Sequence, residues 1–276
     1  KSHPAYQATA RLAEGDRVLE ELYQKMDDLV GKVLGQMKEK DCLFIMSDHG
    51  FKAFRRGVNL NSWLYLNGYL KLKEGSEFSE EWFRQVDWGR TKAYALGLAG
   101  IYLNLKGRES QGLVEPGEEA EKLKQELIAK LSGLKDQEKG EIAINRVIDA
   151  EKIYAGPYRH NAPDLLVAYT QGYRASWDSV TGKVNRIIFE DNKKAWSADH
   201  CLDPNLVPGI LLSNLKLEAR EPSIMDIAPT VMNLFGVKVP TYMNGKSLLA
   251  EESGKINKNE KNREIKAKSN ERKKKR

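Results

Sequence analysis

The chain has 276 residues, 41% hydrophobic and 30% charged, enough to bury a core without disulfides or structural metals. Its formal net charge of +6 is unevenly placed: residues 255–276 carry 11 basic and 3 acidic side chains, and the rest carries 34 against 36. That distribution weakens the case for nucleic-acid binding by the body of the protein, and no apolar run approaches the ~20 residues of a membrane span.

In chain order, Leu19, Leu22, Met26, Leu29, Val33 and Met37 recur at spacings of three and four. They predict one long helix, or two consecutive ones, within Tyr6 to Lys38. The apolar run from Cys42 to Met46 follows, ended by Ser47-Asp48-His49-Gly50. A helix leading into a non-alternating apolar strand reads as part of a parallel sheet buried on both faces. Cys42 is then expected to be a buried, inert thiol. Asn59 to Asn67 reads as a short helix stopped at Gly68, and Tyr69 to Leu72 as a brief strand. Ile101 to Leu105 and Ala143 to Ile148 are strand candidates, with an amphipathic helix between them over Glu118 to Leu134. Leu165 to Tyr169 and Val207 to Leu212 are two further apolar runs of the buried-strand type. Ser223 to Phe235 predicts a helix ended by Gly236, with Asp226 as cap and Pro229 in the first turn, where its missing N–H costs nothing. Periodicity is lost from about Glu251, and the basic tail is expected to be disordered.

Four histidines can be weighed one by one. Asp48-His49 stands at the end of an apolar strand, where open α/β sheets place their ligand sites. An Asp and a His supply one oxygen and one nitrogen ligand, suited to Zn²⁺ or Mn²⁺. By itself such a pair serves as a turn device more often than as a ligand set. His200 follows Asp199 just before another apolar run and would meet His49 if the two strands are neighbours. His3 and His160 lack any companion ligand and read as loop residues. The chain has no Gly-x-Ser-x-Gly elbow, no Gly-x-x-x-x-Gly-Lys loop and no Cys-x-x-Cys pair. Two cysteines in 276 residues fit a reducing compartment.

The segment Phe44-Ile45-Met46-Ser47-Asp48-His49-Gly50-Phe51 resembles the Ser-Asp-His-Gly metal motif of the alkaline phosphatase superfamily. Within it, the chain is similar to the type I phosphodiesterase/nucleotide pyrophosphatase family. Val58 to Leu64, Asn67 to Leu70, Gly107-Arg108-Glu109, Gly156-Pro157-Tyr158, Ala162 to Leu165, Trp196 to His200 and Asp226 to Thr230 follow in the family's order. The resemblance covers about residues 1–250. It implies an α/β fold with a mainly parallel central sheet flanked by helices. Residues 1–250 would be the C-terminal portion of the catalytic domain, with about 70–160 a peripheral cap or insertion and 251–276 a disordered basic tail.

The activity implied is metal-dependent hydrolysis of a phosphodiester or pyrophosphate bond in a small phosphate-ester substrate. A phosphomonoesterase or a phosphoglycerate mutase-like enzyme of the same superfamily is the alternative. A non-catalytic module binding nucleic acid or an acidic surface through tail residues 255–276 is a third reading. The cofactors implied are two divalent ions, zinc first and manganese second. By match, Asp48 and His49 would hold the ion on the nucleophile's side, and His200 would be the distant ligand of the other. Two ions roughly 4 Å apart suit in-line phosphoryl transfer. The family's nucleophile and its remaining ligands lie well before the Ser-Asp-His-Gly motif, and here only 47 residues precede Asp48. The expectation is therefore a fragment of a longer enzyme, lacking the Thr or Ser nucleophile and inactive by itself.

Overall fold

The computed structural model describes residues 17–218 and 221–249. The expected tail over 251–276 and His3 lie outside the described residues. The described residues divide into two compact units, one holding His49–Pro208 and the other Lys25–Asp48 with the described residues from Gly209 onward. Helix α1, Val18–Gln36, carries the division between Gln24 and Lys25. It has the predicted amphipathic spacing, yet none of its residues is buried, and Leu19, Leu22 and Leu29 are each more than half exposed.

In the smaller unit, strand β1 (Phe44–Met46) pairs antiparallel with Leu211–Ser213, with Ile45 opposite Leu212. The bonds Ser47 N–H to Ile210 C=O (3.1 Å) and Ile210 N–H to Ser47 Oγ (3.0 Å) extend this pairing into the turn. A side chain at Gly209 would meet Ser47 O at 2.3 Å, so only glycine lets the two backbones approach. Cys42 is exposed because the strand begins two residues after it; the buried thiol expected there is corrected. A 3₁₀ turn, Ile224–Asp226, leads into the helix Ile227–Leu234. Ser223 and Asp226 form a reciprocal capping box there, and Pro229 falls in the first turn as expected. Thr230 Oγ1 donates to Asp226 O and accepts from Leu248 N–H, which ties the following segment to the helix.

The larger unit contains two four-stranded sheets and a short hairpin, Lys135–Asp136 with Glu141–Ile142. One sheet is antiparallel throughout. Its strands are Ala93–Leu96, Gly100–Leu103, Leu165–Tyr169 and Ile144–Asp149, in that spatial order. The helix Glu118–Leu131 packs on the last of these through Leu123, Leu127 and Leu131. In the other sheet the strand β2 (Lys52–Val58) pairs in parallel with Gly172–Ala175 and antiparallel with Phe189–Asp191 and Ala198–Asp199.

The architecture is mixed α/β, but its sheets are mostly antiparallel, and among the described residues β2 with Gly172–Ala175 is the one parallel pairing between strands. The expected mainly parallel sheet is thus corrected. A continuous apolar run reports burial of both faces, not strand direction. Leu165–Tyr169 is almost wholly buried on both faces, yet both of its strand neighbours are antiparallel. Tyr69 to Leu72 forms only an isolated bridge, Leu72 with Val86, and the third apolar run shortens to Leu211–Ser213.

Several segments that resembled family motifs are architectural. Asn59 caps the helix Leu60–Leu66 by accepting from Ser62 N–H, and Gly68 takes the left-handed φ of +82° that ends it. Asn61, wholly buried, donates to Ala95 O and accepts from Ala95 N–H, stitching that helix to the strand Ala93–Leu96. Arg108 forks onto Asp164 at 2.7 and 3.0 Å and also donates to Leu103 O, joining two segments 56 residues apart.

Candidate metal centre

Two strand ends build the site. The strand Ala198–Asp199 runs antiparallel to β2 with Asp199 opposite Lys52. The residue after Asp199 therefore lies beside the segment that precedes Lys52. This register brings His200 against His49, which stand 151 positions apart in sequence. Their imidazoles stack with centroids 3.8 Å apart and planes 9° from parallel. Gly50 N–H donates to Val207 O (2.9 Å), fastening the Asp-His-Gly turn to the loop that follows His200.

Each ring has a defined neighbour at Nδ1. His49 Nδ1 lies 2.8 Å from Gly50 O. A carbonyl only accepts, so the nitrogen is protonated and the ring's lone pair sits on Nε2. His200 Nδ1 faces Asp199 Oδ1 at 3.8 Å, an electrostatic contact rather than a hydrogen bond. Metal-binding histidines commonly turn one ring N–H to a carbonyl or carboxylate and ligate through the other nitrogen. His49 is partly buried, and the His200 side chain is 50% exposed. Asp48, next to His49 in the chain, is exposed and closes the smaller unit. His160 is exposed in the 3₁₀ turn Arg159–Asn161.

Donor chemistry distinguishes the groups that could hold an ion. Imidazole lone pairs lie in the ring plane, so two nearly parallel rings cannot both reach one ion at a Zn–N distance of ~2.0–2.1 Å. They suit two ions spaced like a two-metal centre, ~3.5–4 Å. His49 and His200 therefore fit as ligands of different ions. Glu121, Asp149 and Glu151 also converge closely enough to hold a metal. The Lys124 ammonium already stands among them, 2.8 Å from Glu121, 3.2 Å from Asp149 and 3.3 Å from Glu151, so that cluster is an ion-pair network.

A third grouping, Asp199-His200-Cys201, has its carboxylate engaged by the protein. Asp199 Oδ1 accepts from His200 N–H (2.8 Å) and Cys201 N–H (2.9 Å). Its Oδ2 accepts from Trp196 Nε1 (3.1 Å) and lies 2.9 Å from Arg174 Nε. Burial works to raise the Asp199 pKa, but hydrogen bonds from Cys201, the Arg174 charge and Trp196 together hold it below the usual carboxylate range. Burial, with the Asp199 carboxylate beside it, pushes the Cys201 thiol up to about 11. Sequence reading missed Arg174. A lone arginine in a strand gives no signal of being sealed between Phe54 and Trp177, whose ring centroids lie 4.3 and 4.1 Å from its Cζ.

A family model described as type I phosphodiesterase / nucleotide pyrophosphatase matches residues 7–187, well over half of the chain. The chain belongs to that family. It is thereby a member of the alkaline phosphatase superfamily, whose hydrolases act on phosphate esters. Asp48 and His49 fall inside the matched segment, and His200 lies beyond it. Searches of curated proteins and of solved structures found no match. No helix among the described residues is long and apolar enough to cross a membrane.

Proposed function

We propose that this phosphodiesterase-family chain supplies Asp48, His49 and His200 to a divalent-metal site that binds a phosphodiester or pyrophosphate. Zinc is the expected ion and manganese the alternative. The observation that carries the reading is the His49–His200 stack, which brings together two segments that resemble family motifs, in an orientation suited to two ions. When bound, such ions would neutralise phosphate charge and stabilise the attacking and leaving oxygens.

The residues of the chain prepare that role in identifiable ways. The Gly50 carbonyl fixes the His49 tautomer, and the antiparallel pairing of β2 with Ala198–Asp199 fixes the separation of the two rings. Half-exposure of His200 leaves room for a phosphate ester to approach. The body of the chain is close to electrically neutral, so the positive charge needed by a phosphate would come from the ions rather than from side chains. Residues of about 70–160 are read as a peripheral cap. The resemblance assigns three ligands and no nucleophile to these residues. Turnover is thus expected where a Thr or Ser nucleophile stands beside them.

Hydrolysis of a nitrophenyl phosphodiester, assayed on protein that includes the Thr or Ser nucleophile, tests this reading. Turnover should require added Zn²⁺ or Mn²⁺, stop with a chelator, and be abolished by Asp48→Ala and by His200→Ala. Normal turnover in both variants would contradict the metal assignment.

A further inference from the structure

We infer that Asp199 is a positioning residue for His200, not a ligand, and that Arg174 is the clamp that keeps it in place. This rests on the reading of His200 as a metal ligand and extends it to residues that do not touch the metal. An ionised carboxylate offers about four acceptor directions. Asp199 accepts hydrogen bonds from two backbone N–H groups and the Trp196 indole, and its Oδ2 stands 2.9 Å from Arg174 Nε in an ion pair. Ligation by Asp199 would bring a cation against the Arg174 charge already at Oδ2, inside a site where the Asp199 side chain is only 9% exposed.

Arg174 has little freedom to release it. Its side chain is 1% exposed, its guanidinium lies between the faces of Phe54 and Trp177, and Nη1 donates to Ala175 O at 2.9 Å. Lys194 stands 4.8 Å from the same Trp177 ring. Asp199 is the one carboxylate that Arg174 pairs with among the described residues. Rigidity therefore passes from the strand Gly172–Ala175, through the ion pair, to the backbone N–H of His200. The same carboxylate faces His200 Nδ1, which favours the tautomer with its proton there and its lone pair on Nε2.

Two measurements on the 276-residue chain decide the matter. The first is Zn²⁺ affinity, by competition with a chromophoric chelator, in a double-mutant cycle of Asp199→Asn and His200→Ala. Asp199→Asn alone should weaken Zn²⁺ binding about 10- to 100-fold, and should weaken it no further once His200 is alanine. An unchanged affinity in Asp199→Asn, with His200→Ala impaired, would overturn the positioning role and leave the metal reading standing. A loss of equal size in both backgrounds would also overturn it, because Asp199 would then act independently of His200. If His200→Ala binds Zn²⁺ like the wild type, the metal reading fails and the inference falls with it. The second measurement needs no variant and so survives any misfolding of Asp199→Asn. A long-range ¹H–¹⁵N spectrum of the metal-free wild-type chain should show neutral His200 protonated at Nδ1. A proton on Nε2 instead would overturn the inference.

Discussion

Replacing Lys124 by methionine removes one charge and nearly preserves the aliphatic stem. The Lys124 side chain is 8% exposed, and that of Asp149, 3.2 Å away, is 4% exposed. Stranding one member of such a pair typically costs 3–5 kcal/mol. The lower end applies because Asp149 still accepts from Glu151 N–H at 3.1 Å. Glu121 and Glu151 are at least half exposed and together add under ~1 kcal/mol. The expected loss is therefore about 3 kcal/mol. All five tryptophans lie within residues 49–208, so urea unfolding followed by tryptophan fluorescence reports on this unit. With a slope of about 2 kcal/mol per molar, the midpoint should fall by about 1.5 M. The double variant Lys124→Met/Asp149→Asn should recover most of that loss, since no buried charge is left unpaired. Burial opposes the ammonium, yet its hydrogen bonds to Glu121, Asp149 and Glu151 raise its pKa above the ordinary lysine value. The interaction is therefore fully present below about pH 10 and fades only as the pH climbs through the folded value. A single-variant loss below about 1 kcal/mol, or Zn²⁺ stabilisation of the wild type that depends on Glu151, would refute the assignment of this cluster as an ion-pair network.

Three further outcomes can be checked with the same unfolding assay. Gly57→Ala would place Cβ 2.8 Å from Ser176 Cβ and 2.9 Å from its Cα, where β2 meets the strand Gly172–Ala175; a loss of about 2 kcal/mol is expected, and an unchanged midpoint would contradict the packing. Arg108→Lys keeps the charge but loses the fork onto Asp164 and Leu103 O, so about 1–2 kcal/mol should disappear, with wild-type stability counting against the bidentate geometry. Asp203, 1% exposed, is subject to burial that raises its pKa, but hydrogen bonds from Arg146, Asn145 and Asn205 N–H outweigh burial and hold it low. Because the folded pKa is depressed, that stabilisation is present above about pH 4 and is lost as pH falls through the folded value; Asp203→Asn should make the acid limb shallower, and an identical limb would contradict the sign.

The candidate site was half visible in the sequence. Asp48-His49 and His200 stood out because each His follows an Asp at the edge of an apolar run and both fall in segments that resemble family motifs. Their meeting was anticipated if the two apolar strands were neighbours; Phe44–Met46 and Leu211–Ser213 do pair, and the antiparallel register of β2 with Ala198–Asp199 brings the two rings together. That register was hidden because β2, Lys-Ala-Phe-Arg-Arg-Gly-Val, carries three cations and lacks a clean alternation. Arg56 tolerates 4% exposure there only because Asp136, Asp191 and Glu138 surround it, partners brought in from distant parts of the chain. Helices with local signals were legible, including the Asn59 cap, the Gly68 stop and the placement of Pro229. Strand direction was not, since burial of both faces is common to central strands of either kind. The clamp through Arg174 was invisible for the same reason as the Arg56 network: its partners are distant in sequence and near only after folding.

The central claim is that His49 and His200 bind divalent metal, and Co²⁺ titration of the intact chain tests it most directly. The account predicts visible absorption bands of nitrogen-ligated Co²⁺, reversed by Zn²⁺ and by chelator. His49→Ala and His200→Ala should each remove part of the signal, and the double variant should remove it all. Bands of undiminished intensity in the double variant, or none in the wild type at saturating Co²⁺, would contradict it.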